Sequence, residues 1–313
     1  MLTQRPNSKK YALVLAHLGA FFTVSAWGSS FLSTKIMMSE GGFSPVEMYV
    51  YRFTLAYLIL LAFTFRKMMA NTIRDEIQLF ICGLCAGSLY FITENYALKF
   101  TSTGNVSLLA SISPLFTTVL VSLIYKVRMK PGVILGSIIA FVGVGCIIFS
   151  HGEGFVLRPK GDILALTAAL SWAVYTIVVK RLLPFYNSFF ITRKLFFYGV
   201  VTSLPLLLIQ QEPLHLATLF DISQISIIMN FLFLVLFCSL GAYLIWNEVM
   251  KELGAVTSNN YLYLQPLVTM VAAYFILGEK IYLLGYVGCL LIVGGLIISD
   301  KLKWDFKSGR SEQ

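Results

Sequence analysis

Asn95-Tyr96-Ala97-Leu98-Lys99, with Pro114 further along, returns in the second half of the chain as Asn247-Glu248-Val249-Met250-Lys251, with Pro266 the same distance on. The agreement extends beyond that stretch. Trp27 with Lys35 comes back as Trp172 with Lys180, and Gly136-x8-Gly145-x4-Ser150 comes back as Gly285-x8-Gly294-x4-Ser299. Features repeated in one order mark an internal duplication. The copies are residues 11–150 and 161–299, joined by a linker, 151–160, and followed by a tail, 300–313.

The composition says what the copies are made of. Of the 313 residues, 58% are hydrophobic and 12% charged, and the apolar residues fall in long runs. Spans are expected at about 11–38, 45–65, 77–98, 104–125 and 132–150. Five more follow at 161–182, 189–209, 225–250, 257–277 and 281–299. Most reach the ~20 residues that cross ~30 Å of hydrocarbon. The longest gap, Gln210–Gln224, holds Glu212, Pro213, His215 and Asp221 and reads as a loop, so the chain is one membrane domain. Five crossings per copy force the copies to insert upside-down relative to each other. The expected fold is an all-α integral membrane protein of ten transmembrane helices in two inverted five-helix repeats.

The net charge of +9 orients these helices. With a cytoplasmic N-terminus, Arg5, Lys9, Lys10, Arg66, Lys67, Arg74, Lys126, Arg128, Lys130, Lys180, Arg181, Lys251, Lys301, Lys303, Lys307 and Arg310 all lie inside. Lys35, Lys99, Arg158, Lys160 and Lys280 lie outside. That excess places both termini in the cytoplasm and gives no argument for a nucleic-acid partner. Trp27 and Lys35 pair with the second half, so the N-terminal apolar run belongs to the fold and is not a cleaved signal. All five cysteines fall within spans, so no disulfide framework follows. Cys82-x2-Cys85 shares a helix face but has no further Cys or nearby His to hold a metal.

Polar groups in hydrocarbon are costly and are kept where they meet a cavity or another helix. Trp27, Ser30, Phe31 and Thr34 form one stripe of the first span, and Trp172, Tyr175, Thr176 and Val179 its counterpart. Gly83, Gly87, Tyr90 and Glu94 line the third span, with Asn95 beside them. Ser239, Ala242, Tyr243, Trp246 and Asn247 occupy the matching region of the eighth. Ser107, Ser111 and Pro114 share a face whose counterparts are Asn259, Tyr263 and Pro266. A mid-span proline frees a carbonyl that something nearby must satisfy. Matched prolines beside hydroxyls and an amide point to kinked helices lining a polar cavity; the opposing reading is packing kinks with Ser and Asn joining helices. The expected solute-binding residues are Trp27, Asn95, Ser111, Trp172, Tyr243, Asn259 and Tyr263, with helix kinks at Pro114 and Pro266. Aromatic faces would cover the apolar part of a solute, and amides and hydroxyls would fix its polar end.

Charged residues near the span ends form two candidate gates: Arg52 with Glu94 towards the outer face, and Arg193 with Glu248 towards the inner. The opposing reading is that long side chains reach for the nearest interface. No catalytic residue, metal site or cofactor is expected. His17, His151 and His215 have no nucleophile or ligand set beside them, and no phosphate-binding loop is present.

These residues carry a family resemblance over 11–299. The chain resembles the EamA-type members of the drug/metabolite transporter superfamily. The resemblance rests on Trp27-Gly28-Ser29-Ser30-Phe31, Arg52-Phe53-x-x-Ala56, Asn95-Tyr96-Ala97-Leu98, Ser107-Leu108-Leu109 and Pro114. In the second half it rests on Trp172, the stretch Gly254 to Pro266, Gly278-Glu279 and the glycine-rich last span. At one position the chain departs from the pattern, since Val127 stands where Glu279 does. The resemblance implies alternating-access export or exchange of a small metabolite, amino-acid-like or otherwise neutral or zwitterionic, across a bacterial inner membrane. The alternative within the superfamily is a sugar phosphate or nucleotide-linked sugar, which would want several cations converging on the cavity. The partners implied are a small solute and the lipid bilayer; substrate, coupling and oligomeric state stay open.

Overall fold

The computed structural model describes residues 6–101, 103–150, 158–209, 213–277 and 281–301, and among them there is no strand. The first copy begins with α1 (Pro6–Ser39) and α2 (Pro45–Thr64). A broken helix follows: α3 (Ile73–Gly83), a π-helical segment Leu84–Leu89, and α4 (Tyr90–Phe100). A second broken helix, α5 (Thr103–Ala110) and α6 (Ser113–Tyr125), leads to α7 (Pro131–Phe149). The second copy opens with α8 (Pro159–Leu182) and α9 (Ser188–Ile209). It continues with α10 (Ile225–Phe233), a π-helical segment Leu234–Gly241 and α11 (Ala242–Leu253). Then come α12 (Ala255–Asn260), a 3-10 turn Tyr261–Tyr263, α13 (Leu264–Leu277) and α14 (Leu283–Lys301). Among the described residues eight helical stretches are long and apolar enough to cross a membrane. The expected loop at 210–224 carries two short 3-10 turns, Leu216–Phe220 and Ile222–Gln224.

Local chemistry sets several boundaries. Ser44 caps α2 in a capping box with Glu47, and Thr72 caps α3 by accepting from the Asp75 amide. Asn187 accepts from the Phe190 amide at the start of α9. Pro114 and Pro266 both stand in the first turn after a helix break. There a missing N–H costs no intrahelical bond.

The breaks recur with the repeat. The offset that carries Asn95 onto Asn247 carries the π segment of the first copy onto the second, and the α5–α6 break onto the 3-10 turn. Inter-helix contacts recur too. α4 packs on α8 as α11 packs on α1, α6 on α8 as α13 on α1, and the related pairs α2–α9 and α7–α14 pack on each other. Hydrocarbon supplies no hydrophobic drive between helices, so such pairs hold by close packing and hydrogen bonds. In α7–α14 the contact is glycine against glycine. A Cβ on Gly143 would lie 2.7 Å from the Gly288 carbonyl oxygen, and one on Gly136 would overlap that of Gly295. The pairs 136–295 and 143–288 run in opposite senses, so the two helices are antiparallel.

Candidate functional site

Three indoles and a phenol cluster between the copies as an aromatic box with Trp27 at its centre. The Trp27 ring lies 5.3 Å from Trp172, 5.5 Å from Tyr243 and 5.2 Å from Trp246, centroid to centroid. Trp172 and Tyr243 are 6.4 Å apart. Tyr90 and Tyr175 flank Trp172 at 5.5 and 5.1 Å. Each such pair contributes about 0.5–1.5 kcal/mol beyond its burial. The elements that bring them are α1, α8 and α11, one from the first copy and two from the second.

The π segments anchor the box. A π turn shifts the backbone ladder and frees carbonyls from it. The Trp27 indole N–H donates to the Cys238 carbonyl at 3.0 Å, and the Tyr243 hydroxyl to that of Ala86 at 3.3 Å. Ser171 donates to the Cys85 carbonyl at 3.0 Å. Each π segment therefore holds side chains of the other copy. Gly83 and Gly87 let α9 approach, as their backbone faces Leu195 to Gly199, and the Tyr49 hydroxyl lies where a Cβ on Gly87 would be.

Asn259 is fully buried and its amide is fully used. Its Oδ1 accepts from the Trp172 indole at 3.0 Å, while Nδ2 donates to the Ala255 carbonyl at 2.9 Å and the Thr176 hydroxyl at 3.2 Å. It positions a ring of the box. Tyr263 lies elsewhere, buried against α7 with its hydroxyl beside that of Ser137. The 3-10 turn between them explains the difference. At 120° instead of 100° per residue, three residues add roughly 60° to the ~40° that separates an i,i+4 pair, turning Tyr263 off the face of Asn259. Asn95 and Ser111 are half-buried, on α4 and in the α5–α6 break, and the box forms without them. The side chains of Lys35, Lys99 and Ser107 and the pair Gly278-Glu279 lie outside the described residues.

Neither expected gate pair, Arg52–Glu94 or Arg193–Glu248, is an ion pair among the described residues. Arg52, 4% exposed, donates through Nε to the Ser239 hydroxyl at 2.6 Å. Glu94, 9% exposed, accepts from the Tyr90 hydroxyl at 2.9 Å. Arg52 thus reaches the box through Ser239, one turn before Tyr243, and Glu94 through Tyr90, whose ring packs on Trp172. Arg193 instead caps α2, donating to the carbonyls of Thr64, Lys67 and Met68. Glu248 is exposed and meets Ser188 at 2.6 Å and Lys251 at 3.8 Å. Lys180 lies with its ammonium over the Tyr125 ring. Helical spacing assigns such residues to a face of their own helix but names no partner on another.

The ends of the bundle are tied by other residues. In the first half of α9, Lys194 and Tyr198 both hydrogen-bond to Glu76, and just before that helix Tyr186 donates to Asp75 at 2.7 Å. Burial, with the Asp75 carboxylate beside it, pushes the Tyr186 phenol above its ordinary pKa. These contacts strap the α2–α3 connection of the first copy to the second. At the start of α2, fully buried Glu47 accepts from the backbone and the ring of His215, and so straps the α9–α10 connection. The straps exchange the roles of the copies. Ser44-x-x-Glu47 is a legible capping-box signal, but no local signal joins Glu47 to His215 or Lys194 to Glu76.

A polytopic helical chain of two packed repeats has the architecture of many membrane transporters. The sequence profile described as the EamA-like transporter family matches residues 14–149 and again 159–299, and the chain belongs to that family. It is 27% identical over 277 residues to an uncharacterized transporter of Clostridium kluyveri, covering 86% of this chain and 87% of that one. It is 26% identical over 280 residues to a probable terminal-alkyne amino-acid exporter of Streptantibioticus cattleyicolor, covering 89% and 91%. A solved crystal structure shares the fold with a TM-score of 0.75 at 19% identity, over 94% of this chain and 99% of that one. The Clostridium and Streptantibioticus relatives are named as a transporter and an exporter, and the family is one of transporters, not enzymes.

Proposed function

We propose that this protein moves a small amino-acid-like or other net-neutral solute across a cytoplasmic membrane, as export or exchange, by alternating access in a ten-span inverted-repeat fold. The carrying observation is the contact of Trp27 with Trp172. A residue that touches its own repeat counterpart sits near the axis relating the copies, where an inverted-repeat carrier binds its solute. The antiparallel α7–α14 pair and the reciprocal helix contacts support inversion. The amino-acid class draws support from the named Streptantibioticus relative.

The four rings are buried and in contact through Trp27, so in this reading a solute enters as they part. The buried Trp246 indole N–H and Tyr175 hydroxyl have no hydrogen-bond partner among the described residues and are available to a solute. With cytoplasmic termini, the Glu47–His215 strap lies outside and the Glu76–Lys194 strap inside, so releasing one while keeping the other opens one side. The test is counterflow in liposomes against amino acids, nucleosides and sugar phosphates, alongside reporter fusions after residues 72, 128, 154 and 215. Amino-acid flux with 72 and 128 cytoplasmic and 154 and 215 external is expected. A cytoplasmic reading at 154 and 215 overturns the inversion, and flux confined to sugar phosphates overturns the solute class.

A further inference from the structure

We infer that Arg52 and Glu94 read the two charges of a zwitterionic solute, Arg52 holding its carboxylate and Glu94 its ammonium on either side of the aromatic box. The inference rests on the transport reading above and narrows its solute class.

Both charges are nearly out of solvent, at 4% and 9% exposure, on different helices, α2 and α4. A buried charge is costly unless an opposite charge and hydrogen bonds compensate it. These two are opposite in sign, yet they do not pair with each other. Each has a neutral hydroxyl for company, Ser239 for Arg52 and Tyr90 for Glu94. Ser239 lies one turn before Tyr243 and next to Cys238, whose carbonyl anchors Trp27. Tyr90 packs on Trp172. The cation therefore borders the box at Trp27 and the anion at Trp172.

The chemistry of the two groups matches the two ends of an α-amino acid. Among the described residues the Arg52 guanidinium hydrogen-bonds through Nε alone, which leaves its terminal nitrogens for a carboxylate. As a carboxylate Glu94 accepts only, so with Tyr90 already donating to it, its complement in a solute is an N–H donor. The faces of Trp172 and Tyr90 beside it suit an ammonium by cation–π attraction. Arg52 and Glu94 together are net neutral, and a zwitterion keeps them so. A simple amine or a simple acid leaves one buried charge uncompensated. The repeat also fixes direction, because the counterpart of Glu94 in the second copy is Trp246. The two sides of the box are chemically unlike, and a zwitterion has one favourable orientation.

The experiment is counterflow and thermal stabilisation of the purified full chain in two probe sets. One is L-phenylalanine, phenethylamine and 3-phenylpropionate; the other is L-leucine, isoamylamine and 4-methylpentanoate. The wild type is expected to prefer each amino acid over both single-charge analogues by roughly tenfold or more. Glu94→Gln shifts preference towards the acids and Arg52→Gln towards the amines, while Arg52→Lys keeps the zwitterion preference. The ratios are read only on monodisperse protein, and thermal stabilisation gives them for a variant with slow flux. A gate or a packing role changes all probes of a set equally and leaves the ratios fixed. Unchanged ratios in Glu94→Gln and Arg52→Gln overturn the assignment and leave the transport reading intact. A wild type that moves none of the six yet moves another solute does the same. Absence of flux for any solute overturns the transport reading itself.

Discussion

The indoles of Trp27 and Trp172 meet edge to face, with centroids 5.3 Å apart and planes at 89°, although they occupy equivalent positions in two separate copies. Each indole N–H is held by the second copy, Trp27 by the carbonyl of Cys238 and Trp172 by the amide of Asn259. Two repeats thus share one site, and the pair tests its importance. Trp27→Ala and Trp172→Ala should each lower flux at least tenfold, while Trp27→Phe, which keeps a ring but loses the N–H, falls between. Wild-type flux in both alanine variants would make the box a packing feature.

Asn259→Ala leaves the buried Trp172 N–H without its acceptor, an effect of about 1–3 kcal/mol. The expected readout is a raised KM with expression retained. Tyr263→Phe removes a hydroxyl that faces Ser137 on α7 and should leave KM unchanged. If the two variants respond alike, the division between box and α7 face is wrong.

The glycines of α7 and α14 predict a contrast. Gly143→Ala sets a methyl 2.7 Å from a backbone oxygen across the helix pair, whereas Gly294→Ala meets nothing within 4 Å. Overpacking of that kind costs about 1–3 kcal/mol. Melting in detergent should show Gly143→Ala destabilised and Gly294→Ala near wild type. Equal melting temperatures would count against the glycine seam.

Lys126 ends α6 in the left-handed region, at φ 51°, where its repeat counterpart is Gly278. Glycine adopts that region without a Cβ penalty, so Lys126→Gly should stabilise by about 1 kcal/mol and raise the melting temperature. A lowered melting temperature would mean that the Lys126 side chain contributes more than the strain removes.

The straps should act in opposite directions. Lys194→Met frees the α2–α3 connection and should raise labelling of single-cysteine probes near the box from the cytoplasmic side. Glu47→Gln weakens the hold on His215 and should raise labelling from the other side. Equal changes from both sides would show that the straps stabilise the bundle without choosing its state.

The amino-acid sequence by itself determined the helical class, the duplication and the residues worth watching. Span length and apolar runs are local properties; Trp27, Trp172 and the prolines are legible because they recur at fixed offsets, and Asn259 because it is an amide on the face of Pro266. Even Glu94 and Arg52 are marked by their cost in an apolar span. Only the tertiary structure decided their partners. The π segments and the 3-10 turn change helical phase without a composition signal, turning Tyr263 to α7 while Asn259 meets Trp172. Of the glycines that match between the copies, Gly145 and Gly294 touch little while Gly136 joins the seam, and the unmatched Gly143, Gly288 and Gly295 complete it. Arg193 went to the carbonyl end of α2, and Arg52 and Glu94 went to separate hydroxyls beside the same box. Periodicity gives a residue its face on its own helix. Which helix that face meets depends on packing between segments far apart in the chain.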